Sequence, residues 1–395
     1  MKRTLLFSEN FPPVTGGASR RFWEIYRRQA PDAVRVLTGH HAAARDRGSI
    51  RVDRLSRSST EREFGGPIPV SPFGSALRRV RELVRSEGIT RIHCGRALPE
   101  GWIALATRLL DGVPYDCFVH GEEANRVSNG AAAGFLLSRR YRMMNRAVYA
   151  GAARLICSSE STAAIVREQW SIEPDRVRVL LPGVDTRWFA PPHVSRARPA
   201  SWEGRRVVLS AGRLERRKGQ DMLLRAIDTV RRDIPDLLIA IVGDGVEAGR
   251  LRDLAAALRV EPFVEFHPEV DEETLRSYYQ HCDLFVLANR QVGYDIEGFG
   301  MVLLEAQACG VPVIAGCSGG APEALIAGGG PDAPVAGETG LVVDCSSVEP
   351  LAAALVSLLS DPVRRAAMGH AARELMVRRF DWDTIVAAGD WIFDA

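Results

Sequence analysis

Two glutamates, Glu297 and Glu305, stand with seven residues between them in the stretch DIEGFGMVLLEAQACGVPVIAG, residues 295–316. Two carboxylates invite acid–base chemistry, but their setting suggests a different use. Gly298 and Gly300 precede an amphipathic run, so a helix is expected to begin near Gly300. The backbone N–H groups of Met301 and Val302 would then face an anion, favoured by the helix dipole. Glu297 falls in the loop before that helix and Glu305 about one turn inside it. Phe299 lies between the two glycines.

Three other loops carry residues of the right kind. In SAGRLERRKGQDMLLRAI, Arg213 and Lys218 lie between an expected strand and an expected helix. Two cations there suit a diphosphate, Arg as a planar fork and Lys as a point charge. Lysine occurs only at Lys2 and Lys218, in a chain that otherwise writes Arg for positive charge. An internal lysine therefore marks a position needing a compact ammonium, or else a solvated charge run. In ENFPPVTGGASRRF, Gly16 and Gly17 precede a helix starting near Ala18, which reads either as an anion site or as a simple turn. In HGEE, His120 follows the apolar run YDCFV, as a ligand contact or a hydrogen-bonded structural histidine.

Weaker signals surround these. GDGVEAG, residues 243–249, has one residue too many for a dinucleotide fingerprint, so a nicotinamide cofactor is disfavoured. The DWD at Asp381–Asp383 has the form of a metal–diphosphate site, but helix capping by Asp381 explains it better. The basic amphipathic stretch 137–151 reads either as a contact for an anionic membrane or as an ordinary solvated helix face.

Short apolar runs must position these loops. They are expected as strands at 3–8, 33–38, 50–55, 91–94, 115–120, 154–159 and 177–181, then at 206–212, 237–245, 263–267, 283–288, 311–316 and 340–344. Helical patterns fall between most of them, which implies parallel sheets covered on both faces. The fold class is α/β, with two doubly wound, Rossmann-like domains. Ligands in such sheets bind beyond the carboxyl ends of the strands, so all four loops should open on one cleft. A Pro-, Arg- and Ser-rich segment around 184–204 interrupts the rhythm and reads as a linker between domains 1–183 and 205–379. The terminal stretch 380–395 is expected to be a helix packed on the protein.

The chain's 395 residues allow two cores, and a net charge of +2 does not mark a nucleic-acid binder. Its seven scattered cysteines form no CxxC pair, which suggests a reducing compartment and no zinc site. The apolar run ending at Glu9 is too short for a signal-peptide core, and no apolar run is long enough to span a bilayer. A cytoplasmic protein is expected, with the inner face of the membrane as a peripheral contact.

Taken together, FPPVTGG, HGEE, PGVDTRWF, GRLERRKGQDMLL, IVGDG, EGFGMVLLEAQACGVPVIAGCSGGAPEAL, TGLVVD and the terminal FDW resemble the retaining glycosyltransferases of family 4, which have the GT-B fold. Within the family the likeness is greatest to phosphatidylinositol mannosyltransferases. The resemblance implies a hexosyltransferase whose nucleotide-sugar donor is held by the second domain and whose glycan, lipid or small-molecule acceptor is held by the first. GDP-mannose is favoured as donor and a UDP-sugar comes next.

Carried over by motif, Arg213 and Lys218 bind the diphosphate, Glu297 contacts the sugar and Glu305 the ribose. Gly300, Met301 and Val302, with Gly298 and Phe299 beside them, and Gly243 complete the donor site. Gly16 and Gly17 would close on the diphosphate, and His120 would lie near the sugar's 6-hydroxyl. His120, Arg213, Lys218 and Glu297 are the expected catalytic group. Phe266, His267 and Pro268 fall where the family's backbone reads the base, with His267 in place of the usual glycine. The final helix is expected to cross back to the first domain.

Transfer would proceed on one face, without a protein nucleophile, cofactor or metal. On this reading Lys218→Ala and Glu297→Ala fold normally and transfer sugar poorly. Sugar-nucleotide epimerases and phosphorylases share the architecture and are the rival class. A non-catalytic peripheral membrane protein is the more distant alternative.

Overall fold

The computed structural model describes residues 3–39, 50–55, 70–121, 124–125, 135–192, 198–325 and 338–394. The chain divides into two compact units, Met1–Leu181 with Val386–Ala395, and Pro182–Ile385. The first unit holds a seven-stranded, wholly parallel sheet in the order β3-β2-β1-β4-β5-β6-β7. Its strands are β1 (Thr4–Phe7), β2 (Val34–Thr38), β3 (Arg51–Arg54), β4 (Arg91–Cys94), β5 (Tyr115–Val119), β6 (Arg154–Cys157) and β7 (Val177–Val179). The second unit holds a six-stranded parallel sheet in the order β10-β9-β8-β11-β12-β13. Those strands are β8 (Arg206–Ala211), β9 (Leu237–Val242), β10 (Val264–His267), β11 (Leu284–Leu287), β12 (Val313–Gly316) and β13 (Gly340–Val343).

The strands form because apolar runs such as LLIAIV, every residue of which is buried, need cover on both faces. Helices supply it. The helix Gln220–Val230 buries Met222, Leu223, Leu224, Ile227 and Val230 into the core that holds Ile239, Ile241 and Val286. Truncating one such leucine to alanine typically costs about 2–5 kcal/mol.

In each sheet the strand order reverses once, between β1 and β4 in the first and between β8 and β11 in the second. The crevice beyond the strand ends at such a reversal is where open α/β sheets take ligands.

Two expectations change. The segment read as a linker is in large part built into the second unit. Val184 bridges to Asp381, and Phe189 and Trp202 are buried. Tyr279 lies 6.0 Å from the Phe189 ring and Tyr278 5.0 Å from Trp202. Those two aromatics anchor a stretch that its Pro and Arg content made look solvated.

The terminal segment is also not one helix. A turn at Met376–Phe380 leads into the helix Trp382–Ala388, and Gly389 separates that helix from a last turn at Asp390–Phe393. The division between the units falls inside this helix: Trp382 packs against Gly183, while residues from Val386 belong with the first unit. Asp381 caps it by accepting from the Asp383 amide at 2.9 Å, so the DWD motif is a helix start.

The end of the chain is tied down by a buried cluster. His93 meets the Ile392 carbonyl at 3.0 Å, and Arg154 donates to the carbonyls of Trp391, Ile392 and Asp394. Asp116, fully buried, accepts from Arg91 and Arg154. Burial alone would raise its pKa, but His93 and Arg154 outweigh it and hold the carboxyl at about 2.

Candidate active site

The loops at the reversal of the second sheet carry the charged residues singled out from the sequence. After β8 the chain makes a turn at Arg216–Lys218 and passes through Gly219 at φ +75°. A Cβ on Gly219 would lie 1.8 Å from the Ala288 carbonyl oxygen, so only glycine lets this loop cross the end of β11. The crossing brings Lys218 Nζ within 2.6 Å of Glu297 Oε2. Both side chains are nearly buried, 11% and 8% exposed. Burial draws the Lys218 ammonium pKa down, and Arg217 and Arg213 add to that against the pull of Glu297. Burial pushes Glu297 up, but Lys218 and Arg217 prevail and keep the carboxyl below its usual range.

Arg213, two-thirds exposed, rests on Glu215 at 2.7 Å. Between these two cations lies Arg217, which the sequence did not single out. Its side chain is buried, paired with Glu215, and 3.8 and 4.0 Å from Asp295 and Glu297. In the run ERRKG nothing in the sequence tells Arg217 from Arg216; only the turn at Arg216–Lys218 buries the one and leaves the other exposed.

Glu297 is held from the other side by its backbone. Gly320 donates to its carbonyl at 2.9 Å, and a Cβ on Gly319 (φ +67°) would lie 2.0 Å from the same oxygen. Asn289, fully buried, fixes that loop by donating to the Ser318 carbonyl at 2.7 Å and accepting from the Gly316 amide at 3.0 Å. The helix Met301–Ala308 starts as expected, with Gly300 at its N-cap and no side chain capping it. The Met301 and Val302 amides thus stand in the first turn of a helix that no side chain caps, a few residues after Glu297. Glu305 is buried within the helix and accepts from the Tyr279 hydroxyl at 2.9 Å. Phe299 is part of the scaffold: it is buried, 6.3 Å from the Phe380 ring.

Gly243 and Gly245 of GDGVEAG pack loop against loop, while Gly249 lies in the helix Ala248–Leu258 with open space around it. A Cβ on Gly243 would lie 2.1 Å from the Gly212 carbonyl, which accounts for the near-fingerprint without a dinucleotide. Gly243 also donates to the His267 carbonyl at 3.1 Å, joining residues 266–268 to the loop after β9. The His267 ring is engaged by Glu265 at 3.1 Å and lies 5.2 Å from the Tyr278 ring.

In the first unit, Gly16 is the exposed N-cap of the helix Gly17–Tyr26, and no side chain caps it. His120 Nε2 lies 2.9 Å from the Gly95 carbonyl, which can only accept, so Nε2 carries the proton and Nδ1 keeps its lone pair. Burial, with Arg21 and Arg96 nearby, lowers its pKa to about 4. Between pH 6.5 and 4 the unfolded chain then binds a proton that the folded one refuses. Stability should fall as pH drops through that window, by on the order of 2 kcal/mol given the ring's partial exposure. Urea midpoints for wild type and His120→Asn, compared from pH 7 to pH 4, should converge as the pH falls; parallel curves would refute the assignment.

Glu122 and Glu123 of HGEE lie outside the described residues. In the helix Phe135–Gly151, Arg139, Arg140, Arg142 and Arg146 are exposed while Tyr141, Met144, Asn145 and Val148 are buried, so its basic face is open to solvent. Among the described residues no helix is long and apolar enough to cross a membrane.

Residues 15–188 match the Glycosyltransferase Family 4 signature and residues 194–375 match Glycosyl transferases group 1. The chain is 32% identical to a GDP-mannose-dependent alpha-(1-6)-phosphatidylinositol monomannoside mannosyltransferase of Mycolicibacterium smegmatis, over 96% of this chain and 95% of that one. It is 29% identical to the GDP-mannose-dependent monoacylated alpha-(1-6)-phosphatidylinositol monomannoside mannosyltransferase of Corynebacterium glutamicum, over 97% and 95%. Sucrose-phosphate synthase from Thermosynechococcus elongatus has the same fold, with a TM-score of 0.80 at 22% identity over 100% of this chain and 98% of that one. The two doubly wound sheets are those of the GT-B fold, and the chain belongs to glycosyltransferase family 4.

Proposed function

We propose that this glycosyltransferase moves mannose from GDP-mannose, ahead of any UDP-sugar, to a hydroxyl of a phosphatidylinositol-mannoside-like acceptor, with retention at the anomeric carbon. The observation that carries this reading is the buried Lys218–Glu297 pair beside an uncapped helix N-terminus at the reversal of the second sheet. A diphosphate has cations and amides to receive it there, and a sugar has a carboxylate for its hydroxyls. The relatives' dependence on GDP-mannose supports the choice of donor.

In the reaction the bond from the anomeric carbon to the diphosphate oxygen breaks, and the acceptor oxygen bonds to that carbon on the same face. The acceptor's proton passes to the departing diphosphate. Charge gathers on that leaving group, where Arg213, Lys218 and the Met301 and Val302 amides stabilise it. Glu297 orients the sugar, and Glu305, steadied by Tyr279, takes the ribose hydroxyls. His120, neutral, offers Nδ1 as an acceptor to a hydroxyl rather than acting as an acid. The exposed arginines of the helix Phe135–Gly151 would meet the anionic surface that carries a lipid acceptor.

The test is GDP release from GDP-mannose with and without a phosphatidylinositol mannoside, in EDTA. GDP should appear only with acceptor, at a rate indifferent to EDTA, and the new linkage should be α. Sugar phosphate or an epimerised nucleotide sugar formed without acceptor would instead establish the rival class.

A further inference from the structure

We infer that Arg217 is a positioning residue that keeps Glu297 charged when a bound diphosphate draws Lys218 and Arg213 away from their carboxylates. The inference rests on the donor reading above.

In the free protein three cations, Arg213, Arg217 and Lys218, face three carboxylates, Glu215, Asp295 and Glu297. Of the cations, Arg213 is well exposed and Lys218 lies at the edge of burial, so both can turn to a ligand. Arg217 cannot. Its side chain is 4% exposed and already spans Glu215, Asp295 and Glu297. Its backbone carbonyl accepts from the Arg290 amide at 2.9 Å, and Arg290 is itself held by two bonds to Asp221, at 2.9 and 2.8 Å.

When a diphosphate takes Lys218, Glu297 loses the partner 2.6 Å away and remains in a site that water reaches poorly. A buried carboxylate so stranded either destabilises the complex or takes up a proton. The described groups facing it are Lys218, Arg217 and Arg213 from the β8 loop, Asp295 from its own loop, and only backbone from the Gly319–Gly320 turn. Once Lys218 and Arg213 are engaged, Arg217 is the fixed cation left for Glu297, and likewise for Glu215.

Calorimetric titration of GDP into wild type, Arg217→Gln and Arg217→Lys, in two buffers of different ionisation enthalpy at pH 7, tests this. The nucleotide's own titration is common to all three and cancels. Arg217→Gln should bind GDP at least tenfold more weakly and take up a proton, in whole or part, that wild type does not; adding Glu297→Gln should remove that uptake. Arg217→Lys keeps a charge but not the fork that spans these carboxylates, so it should shift the same way by less. It serves as the test if the Gln variant does not fold. Variants that match wild type in affinity and proton count would overturn the role of Arg217 while leaving the donor site standing. Absence of binding of GDP and every other nucleotide diphosphate to wild type would instead remove the donor reading, and this inference with it.

Discussion

Lys218→Met should lower sugar transfer by about 10²–10³-fold, the usual cost of removing one preorganised donor to developing charge. The methionine fills a similar volume, so the loss reports the ammonium rather than a cavity. The fall should appear mainly in kcat, because the charge on the leaving diphosphate grows in the transition state. Arg213, the remaining mobile cation, should support a residual rate above that of Lys218→Met combined with Arg213→Met. Transfer kinetics at saturating donor check this, and a Lys218→Met enzyme turning over near the wild-type rate would refute the assignment of Lys218 to the leaving group.

The second large effect is on stability. Read from sequence alone, Lys218→Ala and Glu297→Ala should fold normally. The pair is nearly buried, however, and removing one partner of a buried pair costs about 3–5 kcal/mol because the other charge is left uncompensated. Glu297→Ala should be the worse of the two, since it leaves both Lys218 and Arg217 without that carboxylate, while Lys218→Ala leaves Arg217 near Glu297. The double variant Lys218→Ala/Glu297→Ala should then be more stable than the sum of the single effects by roughly 1 kcal/mol or more, the coupling found between charges in contact. Urea unfolding of the four proteins measures it. Additive single effects would mean that the ion pair contributes nothing to the fold.

Why the fold was readable from sequence, and part of the site was not, follows from particular residues. Parallel strands covered on both faces must be continuous apolar runs, so LFVL and LLIAIV announce themselves. Some expected strands end early for a local reason: the run through Gly243 stops at Val242 because Gly243 and Gly245 turn to positive φ and pack against the Gly212 and Leu214 backbone. The positions of Arg213, Lys218, Glu297 and the helix at Met301 were legible because each follows a strand end. The inward side chain of Arg217, the Asn289 clasp on the Ser318 loop and the Tyr279 bond to Glu305 depend on tertiary contacts between segments far apart in sequence. Phe189 and Trp202 were hidden by their neighbours' composition, and burial of two aromatics outweighed it. The terminal helix was read as one piece because helical periodicity does not register the break at Gly389.

The central claim, a nucleotide-sugar donor held by the second unit through Lys218, is tested most directly by thermal shift. Wild type and Lys218→Met would be melted with GDP-mannose, GDP, UDP-glucose, UDP and NAD, each at saturating concentration. A ligand at a hundredfold its Kd stabilises by about 2.7 kcal/mol. GDP-mannose and GDP should raise the wild-type Tm by several degrees, the UDP compounds by less and NAD not at all, and Lys218→Met should lose most of the GDP response. No shift with any nucleotide, or an undiminished shift in Lys218→Met, would contradict the account.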